Sequence, residues 1–393
     1  MRVDDYESLS FAVRLFCWTT DFVGHALRSV VHRQAAGDPR DARNLLVARL
    51  DGLGDVTVSV PTLRALRRAR RNARIVLLVG PWSEGLARRI PYVDAVEVHS
   101  PWSFRVLRYG DLRPRLRDAM AFYRRMRTER FDAALDLRGD LLSLLVLWWI
   151  GVPVLAGRVT RGGGFVCTHP IRIDLRTVPH ESDRALHAAA IFGADVSDRE
   201  PELPVRDDDR RSACRLLAQH GLKEGHPYAL LAPGALWPYR RWPSERFAEV
   251  ADALCQRHGL IPVLIGDASE RATTEAVKTR CCAPVIDLCG ATDLSALLGL
   301  IDQTAIYVGN ESGPAQLAMA SRRPCVVLFG PGIPKNFGPI RSGAVAIQES
   351  CAHGPCFQKG PCKNLPDWCM GRLRVERVLE VVESLVTAER LAR

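Results

Sequence analysis

Short apolar runs alternate with amphipathic segments along most of the chain. In the first half, the runs predict strands at 44–50, 74–79, 94–98 and 133–137. A second series predicts strands at 228–232, 261–265, 285–288, 305–308 and 325–329. Continuous apolar strands separated by helical segments are typical of a parallel sheet that helices cover on both faces. The pattern therefore predicts an α/β fold with two successive parallel sheets.

The length of the chain, 393 residues, supports this division because one hydrophobic core rarely extends over so many residues. The order of elements restarts around Pro201–Pro204, so we place one domain at 41–205 and a second at 206–393, the latter ending in a helix. Residues 1–40 are predicted to form an amphipathic helical extension. Two such domains imply a cleft between them, and ligands of open parallel sheets bind beyond the carboxyl ends of the strands.

The N-terminal extension carries apolar side chains at helical spacing over residues 8–33, among them Phe11, Leu15, Trp18 and Phe22. Such a helix either packs on its own domain or lies in a membrane interface, and both interpretations stay open. No secretory signal is recognisable, and the longest apolar run, at 141–155, is too short to span a bilayer. The sequence therefore predicts a cytoplasmic protein.

The net charge of +10 is concentrated in the first half of the chain. Six arginines and no acidic residue lie within 64–74, and a second arginine-rich stretch covers 105–130. These stretches predict either solvated helix faces or a basic surface that meets an anionic substrate or membrane. Nucleic acid is not expected as a partner, because the arginines are not interleaved with aromatic residues.

A glycine-containing loop, Leu50–Asp55, follows the first predicted strand. Gly52 and Gly54 permit a tight turn, but Thr57 occupies the third glycine position of the dinucleotide fingerprint, which argues against a dehydrogenase. Asp55 has two interpretations. It is either a helix N-cap or a carboxylate that takes a proton from a substrate hydroxyl.

Two loops in the second half carry groups suited to a phosphorylated ligand. The adjacent Arg240 and Arg241 could match the charge of a diphosphate, or they could be solvated. Ser312 and Gly313 begin a predicted helix, where free backbone N–H groups bind anions, and Glu311 could accept hydrogen bonds from ribose or sugar hydroxyls. The plain alternative for this second loop is ordinary helix capping.

Four cysteines, Cys351, Cys356, Cys362 and Cys369, lie close together in a segment rich in glycine and proline. Their spacing is wider than that of common structural zinc sites. They predict either a structural zinc or iron site or a group of free or redox-active thiols.

In order, these motifs resemble glycosyltransferase family 9, the heptosyltransferases of lipopolysaccharide inner-core assembly. The resemblance extends from Asn44 to about Leu385. It rests on LLVARLDGLGDVTVSVPTLRALRR, DLRGDLLSLLVLWWIGVPVLAGRV, APGALWPYRRWPSERFAEVADAL and YVGNESGPAQLAMASRRPCVVLFGP.

The resemblance implies a GT-B architecture, in which the first Rossmann-like domain binds the acceptor and the second binds the nucleotide sugar. It also implies an inverting reaction that requires no divalent metal. Asp55 matches the family's proposed catalytic base, Arg240 lies where the family has a diphosphate-binding lysine, and Gln316 lies where it has a histidine. The remaining residues expected in the sites are Gly52 and Gly54 for the acceptor, Arg241, Ser312 and Gly313 for the diphosphate, and Gly234, Ala235, Asp267 and Glu311 for the nucleotide and sugar.

The resemblance therefore predicts transfer of a sugar, heptose from ADP-heptose being the first expectation, to an anionic lipopolysaccharide core or another envelope glycan. Peripheral association with the cytoplasmic face of the inner membrane is expected with it. Two alternatives remain: a sugar-nucleotide 2-epimerase of related fold, and an inactive relative that acts as a binding or scaffold protein.

Overall fold

A computed structural model describes residues 11–26, 37–99, 112–351, 356, 362 and 367–392 of the chain. The chain divides into two compact units, Met1–Arg199 and Glu200–Arg393. Each unit contains one six-stranded sheet in which every pair of neighbouring strands is parallel. The expected α/β fold with two Rossmann-like sheets is confirmed.

The sheet of unit 1 has the order β3-β2-β1-β4-β5-β6. Its strands are β1 Asn44–Arg49, β2 Arg74–Val79, β3 Ala95–Val98, β4 Ala133–Asp136, β5 Val154–Arg158 and β6 His169–Ile171. Its helices are α1 Phe11–Ala26, α2 Leu53–Val58, α3 Val60–Ala69, α4 Glu84–Ala87, α5 Leu112–Thr128, α6 Leu141–Ile150 and α7 Glu181–Ala189. The strand order reverses between β1 and β4, so the loops that follow these two strands border a crevice at the carboxyl edge of the sheet.

The sheet of unit 2 has the order β12-β11-β10-β7-β8-β9, with the reversal between β7 and β10. Its strands are β7 Tyr228–Ala232, β8 Ile261–Leu264, β9 Ile286–Asp287, β10 Ile306–Asn310, β11 Cys325–Phe329 and β12 Ala344–Gln348. Its helices are α8 Asp207–Gln219, α9 Ser244–His258, α10 Arg271–Lys278, α11 Leu294–Gln303, α12 Gly313–Ala320, α13 Pro334–Phe337, α14 Cys369–Arg372 and α15 Val375–Ala392.

The central strands are apolar at consecutive positions because helices cover both faces of each sheet. Side chains alternate between the two faces along a strand, yet Leu45, Leu46 and Val47 of β1 are all inaccessible to solvent. On one face, Leu46 joins a cluster that α5 and α6 complete with Met126 and Leu147.

The apolar run at 141–155 divides into a helix and a strand. Gly151 ends α6 in a left-handed conformation with φ of 91°, and β5 begins three residues later. A run that is apolar throughout has no periodicity to separate the two elements, which is why the sequence did not predict either of them.

Helix α1 docks on unit 1, but not through the apolar stripe that its sequence suggests. Cys17, Asp21 and Gly24 are buried, and the carboxylate of Asp21 accepts a hydrogen bond of 2.7 Å from the backbone N–H of Gly163. The exposed side chains are instead large and apolar: Leu15, Phe16, Phe22 and Val23. Residues 1–10 and 27–36 of the predicted extension lie outside the described residues.

Several of the arginines at 64–74 are paired. Arg64 and Arg68 pair with Asp198, and Arg67 pairs with Asp94. The partner of Arg74 is Glu129, and Arg70 donates to the carbonyl of Phe192. Three carboxylates thus compensate part of the charge of this stretch, and the anion-binding surface stays a prediction.

Within the part of the chain that the structure describes, no helix is long and apolar enough to cross a membrane.

Helices α8 and α11 approach each other closely at Gly299. A Cβ atom added there would lie 2.1 Å from the carbonyl oxygen of Asp209, which belongs to the backbone and cannot turn aside. We expect Gly299→Ala to lower the free energy of unfolding by about 1–3 kcal/mol, because this overlap outweighs the gain of about 1 kcal/mol in helix propensity. Urea denaturation measures the change.

Gly313→Ala is the matched control, because its φ is not positive and no atom lies within 4 Å of the added Cβ. It should unfold like the wild type. A Gly299→Ala variant as stable as this control would show that the two helices separate without cost.

Candidate functional site

The reversal point of the first sheet brings together the loop after β1 and the loop after β4. Asp55 lies in the first turn of α2, three residues after the N-cap residue Gly52. Its Oδ2 accepts a hydrogen bond of 3.1 Å from the N–H of Gly52. The interpretation of Asp55 as the N-cap is therefore wrong, although one of its oxygens does stabilise the start of the helix.

The other oxygen of Asp55 faces a buried guanidinium. Nη2 of Arg49, the last residue of β1, lies 3.3 Å from Oδ1 of Asp55 and 2.9 Å from Oε1 of Glu181. Nη1 of Arg49 donates to the carbonyl of Leu137. Arg49 is 1% exposed, and these contacts fix its guanidinium between β1, β4 and α7.

Burial raises the pKa of Asp55, and so do the nearby carboxylates of Asp51 and Glu181. Arg49 lowers it, and the resulting pKa is about 6. The side chain of Asp55 is still 31% exposed. A carboxyl group with this pKa is mostly ionised at neutral pH and reaches solvent, as a general base must.

Glu181 is the centre of a buried ionic cluster. It accepts hydrogen bonds from Arg49, Arg158 and Arg184. Burial alone would raise the pKa of Glu181, but the three guanidinium groups lower it to about 2. The sequence analysis did not identify Glu181, because it lies 132 residues from Arg49.

Asp51 forms the outer side of this site. Its carboxylate lies 2.8 Å from Nε of Arg138, which also pairs with Asp140. The indole N–H of Trp82 donates to the carbonyl of Asp51, and 54% of Trp82 is exposed. Trp82 was also not predicted, since a single tryptophan in a loop gives no periodic signal.

The reversal point of the second sheet joins the loops after β7 and β10. Arg240 lies 3.5 Å from Glu311. Nε of Arg240 and Oε2 of Glu311 are buried, and neither atom makes a hydrogen bond with the described residues. Burial raises the pKa of Glu311 while Arg240 lowers it. These two atoms leave a donor and an acceptor that a bound ligand can use.

The N-terminus of α12 adds backbone N–H donors to the site at the second reversal point. The helix begins at Gly313, with Ser312 as its N-cap residue, and the Ser312 side chain makes no capping hydrogen bond. No atom lies within 4 Å of the position that a Cβ of Gly313 would occupy. The open helix terminus and Arg240 together form an arrangement that can bind a phosphate group.

Three other predicted side chains hold loops in place. Arg241 donates to the carbonyl of Ala235 at 2.9 Å, and the side-chain amide of Gln316 donates to the carbonyl of Phe337 at 2.9 Å. Asp267 caps a short 3-10 helix by accepting from the N–H of Ser269. These hydrogen bonds give each of the three residues a structural role.

Two residues near these loops were not predicted from the sequence. The carboxyl group of Glu270 covers Gly234, where an added Cβ would lie 2.2 Å from it. Asn310 is fully buried at the end of β10. It accepts from the N–H of Trp242 at 3.1 Å and donates to the carbonyl of Pro233 at 2.7 Å, so it joins β10 to both ends of the loop after β7.

The four cysteines lie near one another as free thiols. Burial raises the pKa of Cys369 to about 11, and the proximity of Cys351, Cys356 and Cys362 also raises it. Among the described residues, however, no group of three or more His, Cys, Asp or Glu side chains is arranged to hold a metal ion. The expected structural zinc or iron site is therefore not supported.

The chain is similar to known glycosyltransferases over most of its length. The model of glycosyltransferase family 9 (heptosyltransferase) matches residues 119–365. Lipopolysaccharide heptosyltransferase 2 of Escherichia coli K12 is 26% identical over 359 residues, which are 88% of this chain and 99% of the relative.

Solved structures show the same fold. A family 9 glycosyltransferase from Veillonella parvula superposes with a TM-score of 0.75 at 22% identity, over 90% of this chain and 99% of its own. The ADP-heptose lipopolysaccharide heptosyltransferase II of E. coli gives 0.71 at 23%, over 88% and 99%. The two-sheet architecture is that of GT-B heptosyltransferases.

Asn310 provides a test of the second site. In Asn310→Asp the carboxylate cannot donate to the carbonyl of Pro233, which would then be left buried without its partner. We expect the free energy of unfolding to fall by about 1–3 kcal/mol. Urea denaturation measures the effect.

Gln303→Glu is the matched control, because its amide donates to the carbonyls of Arg210 and Gly299 at a half-buried position on the outer side of α11, where water can replace it. Its stability should change by no more than about 0.5 kcal/mol. Equal stability of both variants would mean that Asn310 does not hold the loop after β7.

Proposed function

The chain belongs to glycosyltransferase family 9 and is a glycosyltransferase, and from this we propose that it transfers heptose from ADP-heptose to an anionic acceptor of the lipopolysaccharide core, with inversion. One observation carries the proposal. The reversal point of one sheet holds a partly buried carboxylate with a raised pKa, and that of the other holds an arginine beside an open helix N-terminus. The relatives, which are lipopolysaccharide heptosyltransferases, support the choice of sugar and acceptor.

Unit 2 binds the donor in this proposal. The diphosphate accepts hydrogen bonds from Arg240 and from the backbone N–H groups at the start of α12, and both carry positive charge. Glu311, whose Oε2 makes no hydrogen bond with the described residues, accepts from a sugar or ribose hydroxyl. Glu270 lies over Gly234 and presents a second carboxyl group to the same loop.

Unit 1 binds the acceptor. Asp55 takes the proton from an acceptor hydroxyl while that oxygen attacks the anomeric carbon on the side opposite the diphosphate. The bond between the anomeric carbon and the diphosphate oxygen breaks, and ADP leaves with the electron pair. Arg240 and the helix terminus stabilise the charge that develops on this leaving group.

We place the reaction at the cytoplasmic face of the inner membrane, with unit 1 in peripheral contact with an anionic bilayer. Helices α1 and α6 both pack against 164–166 and leave apolar side chains exposed, Phe16 and Phe22 on α1 and Trp149 on α6. The exposed guanidinium of Arg127 donates to the carbonyl of Trp149. Apolar side chains beside arginines match the chemistry of an anionic lipid surface.

The double substitution Phe16→Ser, Phe22→Ser tests this contact. Inserting each phenylalanine contributes about 1.5–3 kcal/mol, so the variant should bind vesicles that contain phosphatidylglycerol at least about tenfold more weakly in a co-sedimentation assay. Val196→Ser removes an exposed apolar side chain elsewhere on unit 1 and serves as the control. Undiminished vesicle binding by the double variant would contradict the membrane contact.

Asp55→Asn tests the chemistry. The amide cannot accept the proton, so kcat should fall by at least about 100-fold, whereas ADP should bind as it does to the wild type because unit 2 is unchanged. A coupled assay of ADP release from ADP-heptose and a thermal-shift titration with ADP give the two values.

Asp118→Asn, at an exposed position of α5, is the control and should retain activity. If Asp55→Asn turned over like this control, Asp55 would not be the base. Stabilisation by GDP or UDP instead of ADP would overturn the proposed donor but not the reaction class.

A further inference from the structure

We propose that Glu181 is a positioning residue for sugar transfer and acts on Asp55 through the buried guanidinium of Arg49. The inference rests on the proposed role of Asp55 as the base, and it adds a residue on a different element that controls this carboxylate. It follows from the geometry of the ionic cluster in unit 1.

The three residues form a continuous chain of contacts. Oε1 of Glu181 and Oδ1 of Asp55 lie 2.9 Å and 3.3 Å from the same atom, Nη2 of Arg49. The rest of the Arg49 guanidinium is fixed, since Nη1 donates to the carbonyl of Leu137 and Nε lies 3.4 Å from Asp51. Arg49 therefore cannot turn towards one carboxylate without leaving the other.

Arg49 is shared by three carboxylates, and each of them weakens its attraction for the other two. The charged groups that face Asp55 are Asp51 and Arg49 from β1 and its loop, and Glu181 from α7. Arg138, from the loop after β4, compensates Asp51 from the outer side. Glu181 is thus the only buried anion among these groups, and its charge prevents Arg49 from holding Asp55 as a tight ion pair.

This balance has a consequence for a general base. A carboxylate in a tight ion pair loses basicity and is drawn away from its substrate. Burial and Asp51 are the main causes that raise the pKa of Asp55 to about 6, the Glu181 charge adds to them against the effect of Arg49, and 31% of the Asp55 side chain remains exposed. Without that charge, Arg49 would attract Asp55 more strongly and the pKa of Asp55 would fall.

A purely structural role for Glu181 predicts a different result. It accepts hydrogen bonds from Arg158 and Arg184 as well, so its removal also leaves those two buried cations short of a partner. If the cluster only held the fold together, substitution would lower stability and reduce activity equally at all pH values. Only a positioning role changes the pH at which activity is lost.

The test is the pH dependence of kcat/KM for the full chain and its Glu181→Gln variant. The base must be ionised, so the wild-type value should fall tenfold per pH unit below about pH 6. In the variant, this break, the pH below which kcat/KM falls, should be lower by about one pH unit. The constant value of kcat/KM above the break should also be lower, because Asp55 is then a weaker base.

Arg184→Gln is the matched control. It removes a partner on the far side of Glu181 but leaves the contact between Arg49 and Asp55, so it should lower stability without moving the break. If Glu181→Gln does not fold, Glu181→Asp keeps the charge but withdraws the carboxylate from Arg49 by one methylene, and a smaller shift in the same direction is expected.

The outcomes separate this inference from the proposed function. An inactive Asp55→Asn together with a wild-type break in a folded Glu181 variant would overturn the positioning role and leave the base in place. An active Asp55→Asn would overturn the base itself, and the positioning role with it. If the break moved as far in Arg184→Gln as in Glu181→Gln, the shift would reflect a general loss of structure, and the positioning role of Glu181 would be overturned.

Discussion

Parallel strands bring all of their carboxyl ends to one edge of a sheet, and this constraint determines where polar chemistry can occur in both units. The interiors of the strands are apolar because helices cover both faces. Polar groups therefore collect beyond the strand ends, and the reversals between β1 and β4 and between β7 and β10 provide room for a ligand there. Arg49 and Asn310, the last residues of β1 and β10, are fully buried at those points.

The two reversal points differ in how many hydrogen bonds their buried polar atoms already make. Around Arg49, three carboxylates and a carbonyl already surround the guanidinium, and its Nη1 and Nη2 donate hydrogen bonds to them, so this region is prepared in advance and leaves Asp55 as its accessible group. Around Arg240 and Glu311, buried atoms make no hydrogen bonds with the described residues. A large anionic ligand can supply those missing partners, whereas a base must be held in position before its substrate arrives.

The fold and the two main loops could be predicted from the sequence because both signals are local. Strand periodicity and a short motif such as the one ending in Asp55 each lie within a dozen residues. Glu181 and Glu270 could not be found in this way, since their roles arise from contacts with residues far away or from a missing side chain at Gly234. The pairing of the arginines at 64–74 could not be predicted for the same reason, because Asp94, Glu129 and Asp198 are distant in sequence.

The attachment of α1 has a consequence for the local stability of unit 1. Among its contacts, the carboxylate of Asp21 accepts from the N–H of Gly163 and the thiol of Cys17 donates to the carbonyl of Arg161. Hydrogen bonds of this kind each contribute about 1 kcal/mol, and four large apolar side chains of the helix face solvent, so α1 is docked less firmly than a strand that helices cover on both faces. Helix α1 can therefore detach and return while the sheet remains folded, and its amide hydrogens should be among the first of the described residues to exchange with solvent.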